Sequence, residues 1–456
     1  MACWVVAMEG LEDSVLARMP LAEAVLTVWR FVCDEQRLEA VFRQHRGRSY
    51  EQSISFGSMV QLVADALLEH EGSGRQSFER AHEAGDLEAT PRAAYAKLGR
   101  LPIALSVGWF GEMAAAVGEL FPAEGRRDPP PSLAGFRVIT IDGKTIKRVA
   151  KRLKPLRKTS GGVIGGKALV ATERSTGLAI AMSADPDGEA HDARLVPELL
   201  PRVRERMSGP RLWLADRAFC DPLQISRFAA ESDAYVLRYN AKNKFTRDEE
   251  HPVVESADSE GRQVIDEVGV IGGPSNKHRR AVRRITLVRE DGDDVSIVTE
   301  LFDAPADELL GLYRERWGIE RMFQQVTEVF GLKKLIGGRP EATLFQFAFC
   351  LLLYNQMRLV QAYVEKHQAW EPEMVSIEQL FVDVRRELIA WAVVVGAADL
   401  PQRSASETRR RLDRLLRTQW SDRWVKAIHA KQPKKPPGPK SKTHTSAYRA
   451  LLQAKT

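Results

Sequence analysis

The sequence predicts an α/β protein, with a mixed sheet in mid-chain and helical regions at both ends. Three observations carry this. Up to about residue 121 apolar residues recur at three- and four-residue spacing, as in Met59, Leu62, Val63, Ala66 and Leu67, the period of a helix. Gly125-Arg-Arg-Asp-Pro-Pro-Pro131 then breaks the pattern, because three prolines in a row cannot continue a helix. Beyond it, short β-branched runs alternate with helical segments.

Taken in order, residues 1–124 are expected to be helical, with Arg43, Arg46 and Arg48 near the junction of two helices. Residues 125–132 read as a linker. Phe136–Ile141, Lys167–Thr172 and Leu178–Ser183 read as strands, the last two joined by the Ser175-Thr-Gly177 turn. His191–Met207 reads as a helix and Arg211–Ala215 as a further strand. Three strands, a helix and a strand make the first part of a mixed sheet with one crossover, residues 133–237. From Tyr235 to Val298 the chain is strand-like, with turns at Gly272-Gly-Pro274 and Asp291-Gly-Asp293. That predicts a β-rich insertion over 238–300. Asp303 to Phe330 is expected to be one long helix, capped by Asp303, with Pro305 in its first turn and Gly331 as its stop. Residues 301–355 then complete the core. Helices follow over 356–430, including Ser406–Ala430, and a basic tail occupies 431–456.

With 44% hydrophobic and 28% charged residues the chain is globular in composition, which excludes a disordered one. The net charge of +6 is small but unevenly placed. Lys144, Lys147, Arg148, Lys151, Arg152, Lys154, Arg157 and Lys158 follow one another with no acid between them. Further basic clusters lie at Lys277–Arg284, Arg409–Arg417 and Lys431–Lys442, a distribution suited to a polyanion. Cys3, Cys33, Cys220 and Cys350 form no C-x-x-C pair, which argues against a zinc knuckle or a disulfide framework. The start of the chain lacks the pattern of a signal peptide. The apolar runs near Phe347–Tyr354 and Ile389–Ala398 are too short to span a bilayer, so a cytoplasmic protein is expected.

Chemistry concentrates on three acids. The strand-like runs F-R-V-I-T-I-D and R-L-W-L-A-D end in Asp142 and Asp216. Ligands of open sheets gather at the carboxyl ends of strands, and neighbouring strand ends lie about 5 Å apart. Each Asp also has a plainer account, as an Asp-Gly turn or as the cap of a following helix. The third acid lies in Y-R-E-R-W-G-I-E, residues 313–320. At about 100° per residue, Tyr313, Arg316, Trp317 and Glu320 share one strip, and Glu320 borders the core-facing stripe. Glu315 points away. An i,i+4 ion pair on a solvated face accounts for Arg316 and Glu320, though not for Tyr313 and Trp317 beside them. Two strand-end aspartates and a helical glutamate suit a pair of divalent metals acting on a phosphodiester, and carboxylates are the donors that magnesium or manganese prefers. Arg316 and Tyr313 would then meet phosphate, and Trp317 would pack or stack on a base.

The chain resembles the DDE transposases with a ribonuclease-H-like catalytic domain, of the bacterial insertion-sequence-4-like group. I-T-I-D-G-K around Asp142, W-L-A-D-R-A-F around Asp216 and Y-R-E-R-W-G-I-E ending at Glu320 carry the resemblance, the last through its Tyr-x2-Arg-x3-Glu spacing. It spans about residues 136–355. It implies a ribonuclease-H-like mixed sheet with a β-rich insertion between the second Asp and the Glu. It also implies that Asp142, Asp216 and Glu320 are catalytic and bind metal, with two Mg²⁺ or Mn²⁺ ions per site. Cleavage at the terminal inverted repeats of a mobile element and 3′-OH strand transfer into target DNA would follow, in a synaptic homodimer whose N-terminal helices bind DNA ends. Tyr313, Arg316, Trp317, Lys144, Lys147, Arg148, Lys151, Arg152, Lys333 and Lys334 are the expected DNA contacts. The group's signature lysine, seven residues after the Glu, is replaced by Thr327, leaving Lys333 or Lys334 as substitutes. The alternative is a domesticated or inactive relative that only binds DNA.

Two other patterns point elsewhere. Gly161 to Lys167 fits G-x-x-x-x-G-K, but Ala168 lacks the hydroxyl a P-loop needs and a strand-like run follows, so no nucleotide cofactor is expected. Asp187, Glu189, His191 and Asp192 stand at the start of an expected helix, where acids cap free amides.

Overall fold

The computed structural model describes residues 18–147, 164–289, 292, 294–368, 370–394 and 400–426. Of the basic residues expected at DNA, Arg148, Lys151 and Arg152, with the rest of that run to Lys158, lie outside the described residues, as do the side chain of Lys147 and the tail over 431–456.

Among the described residues ten strands form one continuous sheet: β1 (Arg137–Lys147), β2 (Ile164–Glu173), β3 (Ala179–Asp185), β4 (Arg211–Ala215), β5 (Ala234–Arg238), β6 (Phe245–Arg247), β7 (Val254–Ala257), β8 (Gln263–Ile271), β9 (Arg280–Leu287) and β10 (Val295–Thr299). The order is β3-β2-β1-β4-β5-β10-β9-β8-β6, with β7 paired to β8. β1, β2 and β3 are antiparallel neighbours, whereas β1, β4 and β5 run parallel. That 3-2-1-4-5 half is the ribonuclease-H-like sheet. The β-rich insertion joins it through β10, which pairs antiparallel with β5.

Alternation along the parallel strands splits the core into two faces. Ile139, Ile141, Trp213, Ala215, Tyr235 and Leu237 pack on one face, beneath α7 (Val196–Arg206) and α8 (Pro222–Phe228). Val138, Leu212, Leu214, Ala234 and Val236 pack on the other, beneath α9 (Ala306–Glu315). α10 (Trp317–Glu328) follows α9 directly.

Among the described residues the N-terminal helices are α1 (Pro20–Val32), α2 (Glu35–His45), α3 (Phe56–Leu68), α4 (Gly74–Ala84), α5 (Pro91–Leu98) and α6 (Ile103–Leu120). They share one apolar core with α11 (Pro340–His367), α12 (Ile377–Val394) and α13 (Ala405–Leu416). Met59, Leu62, Val63, Ala66 and Leu67 are all buried in it. α11 is buried along nearly its whole length, polar residues such as Asn355 and Arg358 included, as expected of a helix at the centre of a fold. It also holds the edge of the sheet. Asn355 donates to the carbonyl of Ala179 (2.7 Å) and accepts from its amide (2.9 Å), while Arg358 reaches the Thr176 carbonyl and Tyr354 the Gly177 carbonyl. α6 is long and apolar enough to cross a membrane by length and composition, although its glycines and Glu112 conceal this from a search for unbroken apolar runs. In the fold 67% of it is buried.

Several boundaries differ from expectation. β1 runs on to Lys147, so Asp142 lies within the strand and not at its end. Its partner β4 stops at Ala215 while β2 continues beside it, so the open flank begins near Asp142 without the strand ending there. The expected helix over 303–330 is two helices, divided at Arg316, and the first opens on Pro305 without a side-chain cap. The helix expected over 191–207 is a 3₁₀ turn at Asp192–Arg194 followed by α7, which begins at Val196 with Pro197 in its first turn. The acids before α7 do not cap it: Asp187 accepts from the Glu189 amide, and Lys167 draws Asp192 into an ion pair of 2.7 Å. Lys167 itself lies in β2, so strand follows the glycine-rich run where a P-loop needs a helix. The helix expected over 406–430 ends at Leu416, with residues beyond 426 outside those described.

Replacing Asn355 with Ala leaves the Ala179 amide and carbonyl without these partners in a buried setting. We expect a loss of about 2–3 kcal/mol, read as a lower denaturant midpoint for unfolding of the sheet.

Candidate active site

The parallel register builds the site. Thr140 stands beside Leu214, and Leu214 beside Val236. Two residues further along each strand come Asp142, Asp216 and Arg238, in a row across three neighbouring strands. All three share the parity of Val138, Leu212 and Ala234, so they project onto the face that α9 covers. Asp216 ends β4, and its Oδ1 also accepts from the Ala218 amide at 2.7 Å, capping the 3₁₀ turn Arg217–Phe219. The plainer role expected of a strand-end aspartate is therefore present. Asp142 Oδ1 accepts from the Gly143 amide at 2.8 Å.

The third acid arrives through the break between α9 and α10. Arg316 donates its amide to the Tyr313 carbonyl, an i to i−3 bond, and Ile319 does the same to Arg316. In such a tight turn residues i and i+3 eclipse, so Tyr313 and Arg316 both turn inward, at 4% and 6% exposure. Glu320, one turn on, sits half-buried at the border of the core, while Glu315 faces away and pairs with Arg174 at 2.7 Å. Trp317, expected on the same strip, is 54% exposed.

Arg316 is the hub. Its guanidinium pairs with Glu320 Oε1 at 2.8 Å and with Asp142 Oδ2 at 3.4 Å, and lies over the Tyr313 and Trp317 rings. The i,i+4 ion pair weighed from the sequence thus exists, but it is buried on the arginine side and shared with Asp142. Burial raises the Asp142 carboxyl to about 6; Arg316 and the Gly143 amide oppose the rise, and Asp216 and Glu320 add to it. Burial likewise raises the Tyr313 hydroxyl, against Arg316.

Among the described residues no group of three His, Cys, Asp or Glu is arranged to hold a metal ion. The donors nonetheless suit one: three carboxylates are hard oxygen ligands for magnesium or manganese. The positive charge among them is Arg316. Were a divalent ion to bind here, Asp142, Asp216 and Glu320 would be the carboxylates to hold it.

A cavity of about 280 Å³ opens beside the acids, lined by Asp216, Arg217, Arg238, Tyr313, Arg316 and Trp317. Arg217 and Arg238 also line a neighbouring cavity of about 430 Å³ with Tyr239, Asn240 and Lys242. Sequence reasoning missed Arg217 and Arg238, although Arg217 follows Asp216 and Arg238 ends a strand as Asp216 does. Of the other expected DNA contacts, Lys144 lies on β1 with its ammonium over the Phe323 ring. Lys334 is drawn to Glu71 in the N-terminal helices at 3.4 Å, and Lys333 is exposed on the turn after α10. Thr327 turns its hydroxyl back onto the Phe323 carbonyl. The basic cluster Lys277–Arg284 is partly consumed internally, since Arg283 pairs with Asp266 and Arg284 with Glu267, both at 2.6 Å.

A ribonuclease-H-like sheet that lines up Asp142 and Asp216 on one face is consistent with the class of the DDE transposases. Residues 134–356, which contain all three acids, match the family described as the transposase DDE domain, and this stretch is such a domain. A Sinorhizobium fredii protein named as a transposase, y4zB, is 23% identical over 194 residues, covering 41% of this chain and 54% of that protein, about half its length. The Geobacillus stearothermophilus protein named as the transposase for insertion sequence element IS5377 is 20% identical over 306 residues, covering 67% of this chain and 78% of that protein. The cryo-electron microscopy structure of a piggyBac transposase synaptic complex with hairpin DNA aligns with 90% of this chain and 87% of its own at 11% identity. Its TM-score of 0.37 marks only a loose likeness.

Because the folded protein binds the Asp142 proton more tightly than the unfolded chain does, ionising this group costs stability. The cost grows as pH rises from about 4 to about 6 and is complete above that. Asp142→Asn is expected to gain about 2–3 kcal/mol relative to the parent protein at pH 7 without metal, and to lose that advantage at pH 4. Unfolding midpoints at the two pH values check this.

Proposed function

We propose that the chain is a DNA transposase of the insertion-sequence-4-like group, cleaving strands at the ends of a mobile element and joining the freed 3′-OH to target DNA. The observation that carries this is the row of Asp142 and Asp216 on one face of the sheet, joined to Glu320 through Arg316 inside a DDE domain. Asp142, Asp216 and Glu320 hold the divalent ions, Mg²⁺ or Mn²⁺. When bound, these ions activate the attacking oxygen and stabilise the leaving one.

The chain's own side chains supply the rest. Arg316, Arg217 and Arg238 present guanidinium groups to the non-bridging oxygens of the scissile strand. The Tyr313 hydroxyl donates to phosphate, and the exposed Trp317 ring offers a surface on which a displaced base stacks. Lys144, against Phe323, provides a cation one turn from the position where Thr327 replaces the signature lysine. Lys333 is free to follow DNA past the end of α10, whereas Lys334 must first leave Glu71. Lys147, Arg148, Lys151 and Arg152, consecutive cations in the sequence, add further phosphate contacts, and the N-terminal helices bind the DNA ends within a synaptic homodimer. A cytoplasmic, nucleoid-associated location suits that partner. A chain kept only to bind DNA has no use for a buried, destabilising Asp142.

Replacing Asp142, Asp216 or Glu320 with Ala is expected to reduce Mg²⁺-dependent cleavage of end-containing duplex by about a hundredfold or more. Unchanged cleavage in all three variants overturns the assignment. DNA affinity is expected to fall steeply with salt, roughly one tenfold step in affinity per tenfold step in salt for each phosphate contacted. A flat salt titration would remove the basic clusters from the interface.

A further inference from the structure

Arg316 stands where a metal between Asp142 and Glu320 would have to stand. Its guanidinium lies 2.8 Å from one carboxylate and 3.4 Å from the other. A divalent cation and a guanidinium cannot share that gap, since like charges at contact distance repel strongly in a half-buried site. The arginine is also poorly served there: among the described residues its buried Nε finds no acceptor. On its other side the same side chain lines the cavity of about 280 Å³, together with Arg217 and Arg238. That cavity has three guanidinium groups against the single carboxylate of Asp216, a setting that attracts an anion with paired oxygens.

We propose that Arg316 is an exchangeable counter-ion which couples DNA to metal: a phosphodiester entering this cavity draws the guanidinium away from Asp142 and Glu320 and so frees them for the divalent ion. The arginine holds the acid cluster together in the absence of DNA, neutralising carboxylates that would otherwise repel one another. With DNA bound it becomes a phosphate ligand. By linkage, metal must then tighten DNA binding by the same factor that DNA tightens metal binding. The inference rests on the metal-site reading above.

The test is Mn²⁺ binding by calorimetry to the full chain, alone and with a short oligothymidylate as the phosphodiester probe. For the parent protein, the oligonucleotide is expected to tighten Mn²⁺ binding about tenfold, within the usual range of such couplings. Arg316→Gln is expected to bind Mn²⁺ about tenfold more tightly than the parent without oligonucleotide, and to show no further gain with it. Arg316→Lys keeps a cation in the gap and should stay near the parent value, which separates charge from any disturbance of the turn between α9 and α10. Mn²⁺ binding that Asp142→Ala abolishes but Arg316→Gln leaves unchanged, or weakens, overturns the exchange while the metal site stands. Absence of Mn²⁺ binding by every form, with and without oligonucleotide, overturns the metal site and the exchange together.

Discussion

The parallel register of β1, β4 and β5 is the constraint from which the site follows. Side chains on a strand alternate with a period of two, so a slip of one residue between β1 and β4 would send Asp142 or Asp216 to the opposite face. There it would enter the apolar packing around Trp213 and Tyr235. The register is therefore fixed by hydrophobic burial on both faces of the sheet. The acids inherit their alignment from Ile139, Ile141, Leu212 and Leu214, none of which takes part in chemistry. The same count places Arg238 in the row, giving the site its basic flank.

Electrostatics then works against the fold at this point. Three carboxylates converge around a partly buried volume, and one arginine is shared between two of them. The tight turn at Arg316 makes this possible by turning its side chain and that of Tyr313 inward together. A continuous α-helix would have separated them by about 60° around the axis. Stability is spent chiefly on burying the Asp142 carboxylate, with its neighbours Asp216 and Glu320 adding to the cost.

Much of this was legible in the sequence, for identifiable reasons. β4 was read with its observed bounds because Arg211–Ala215 is short, apolar and closed by an aspartate. Asp142, Asp216 and Glu320 stood out as candidates because charged residues at the edge of buried runs are conspicuous, and the structure joins Asp142 and Glu320 through Arg316. The extension of β1 past Asp142 was not legible. It depends on pairing with β2, and Asp142-Gly143 resembles a turn when read locally. The break at Arg316 was hidden too, since Y-R-E-R-W-G-I-E contains no proline and its glycine, Gly318, lies beyond the break. Basic clusters were misleading where tertiary structure supplied acids: nothing near Arg283 and Arg284 in sequence announces Asp266 and Glu267 across the sheet. Arg217 and Arg238 escaped notice because a single arginine beside a motif has no periodicity to mark it.

The clamp of Asn355 on Ala179 has a consequence beyond the stability of one edge. Unpaired amides and carbonyls on an outer strand invite a stranger's backbone to dock there, which is how sheets fuse between molecules. β3 is the outer strand on the ribonuclease-H-like side, and α11 and α6 lie against it. At Ala179 that flank is consequently occupied, and a foreign strand can pair there only by displacing the Asn355 amide.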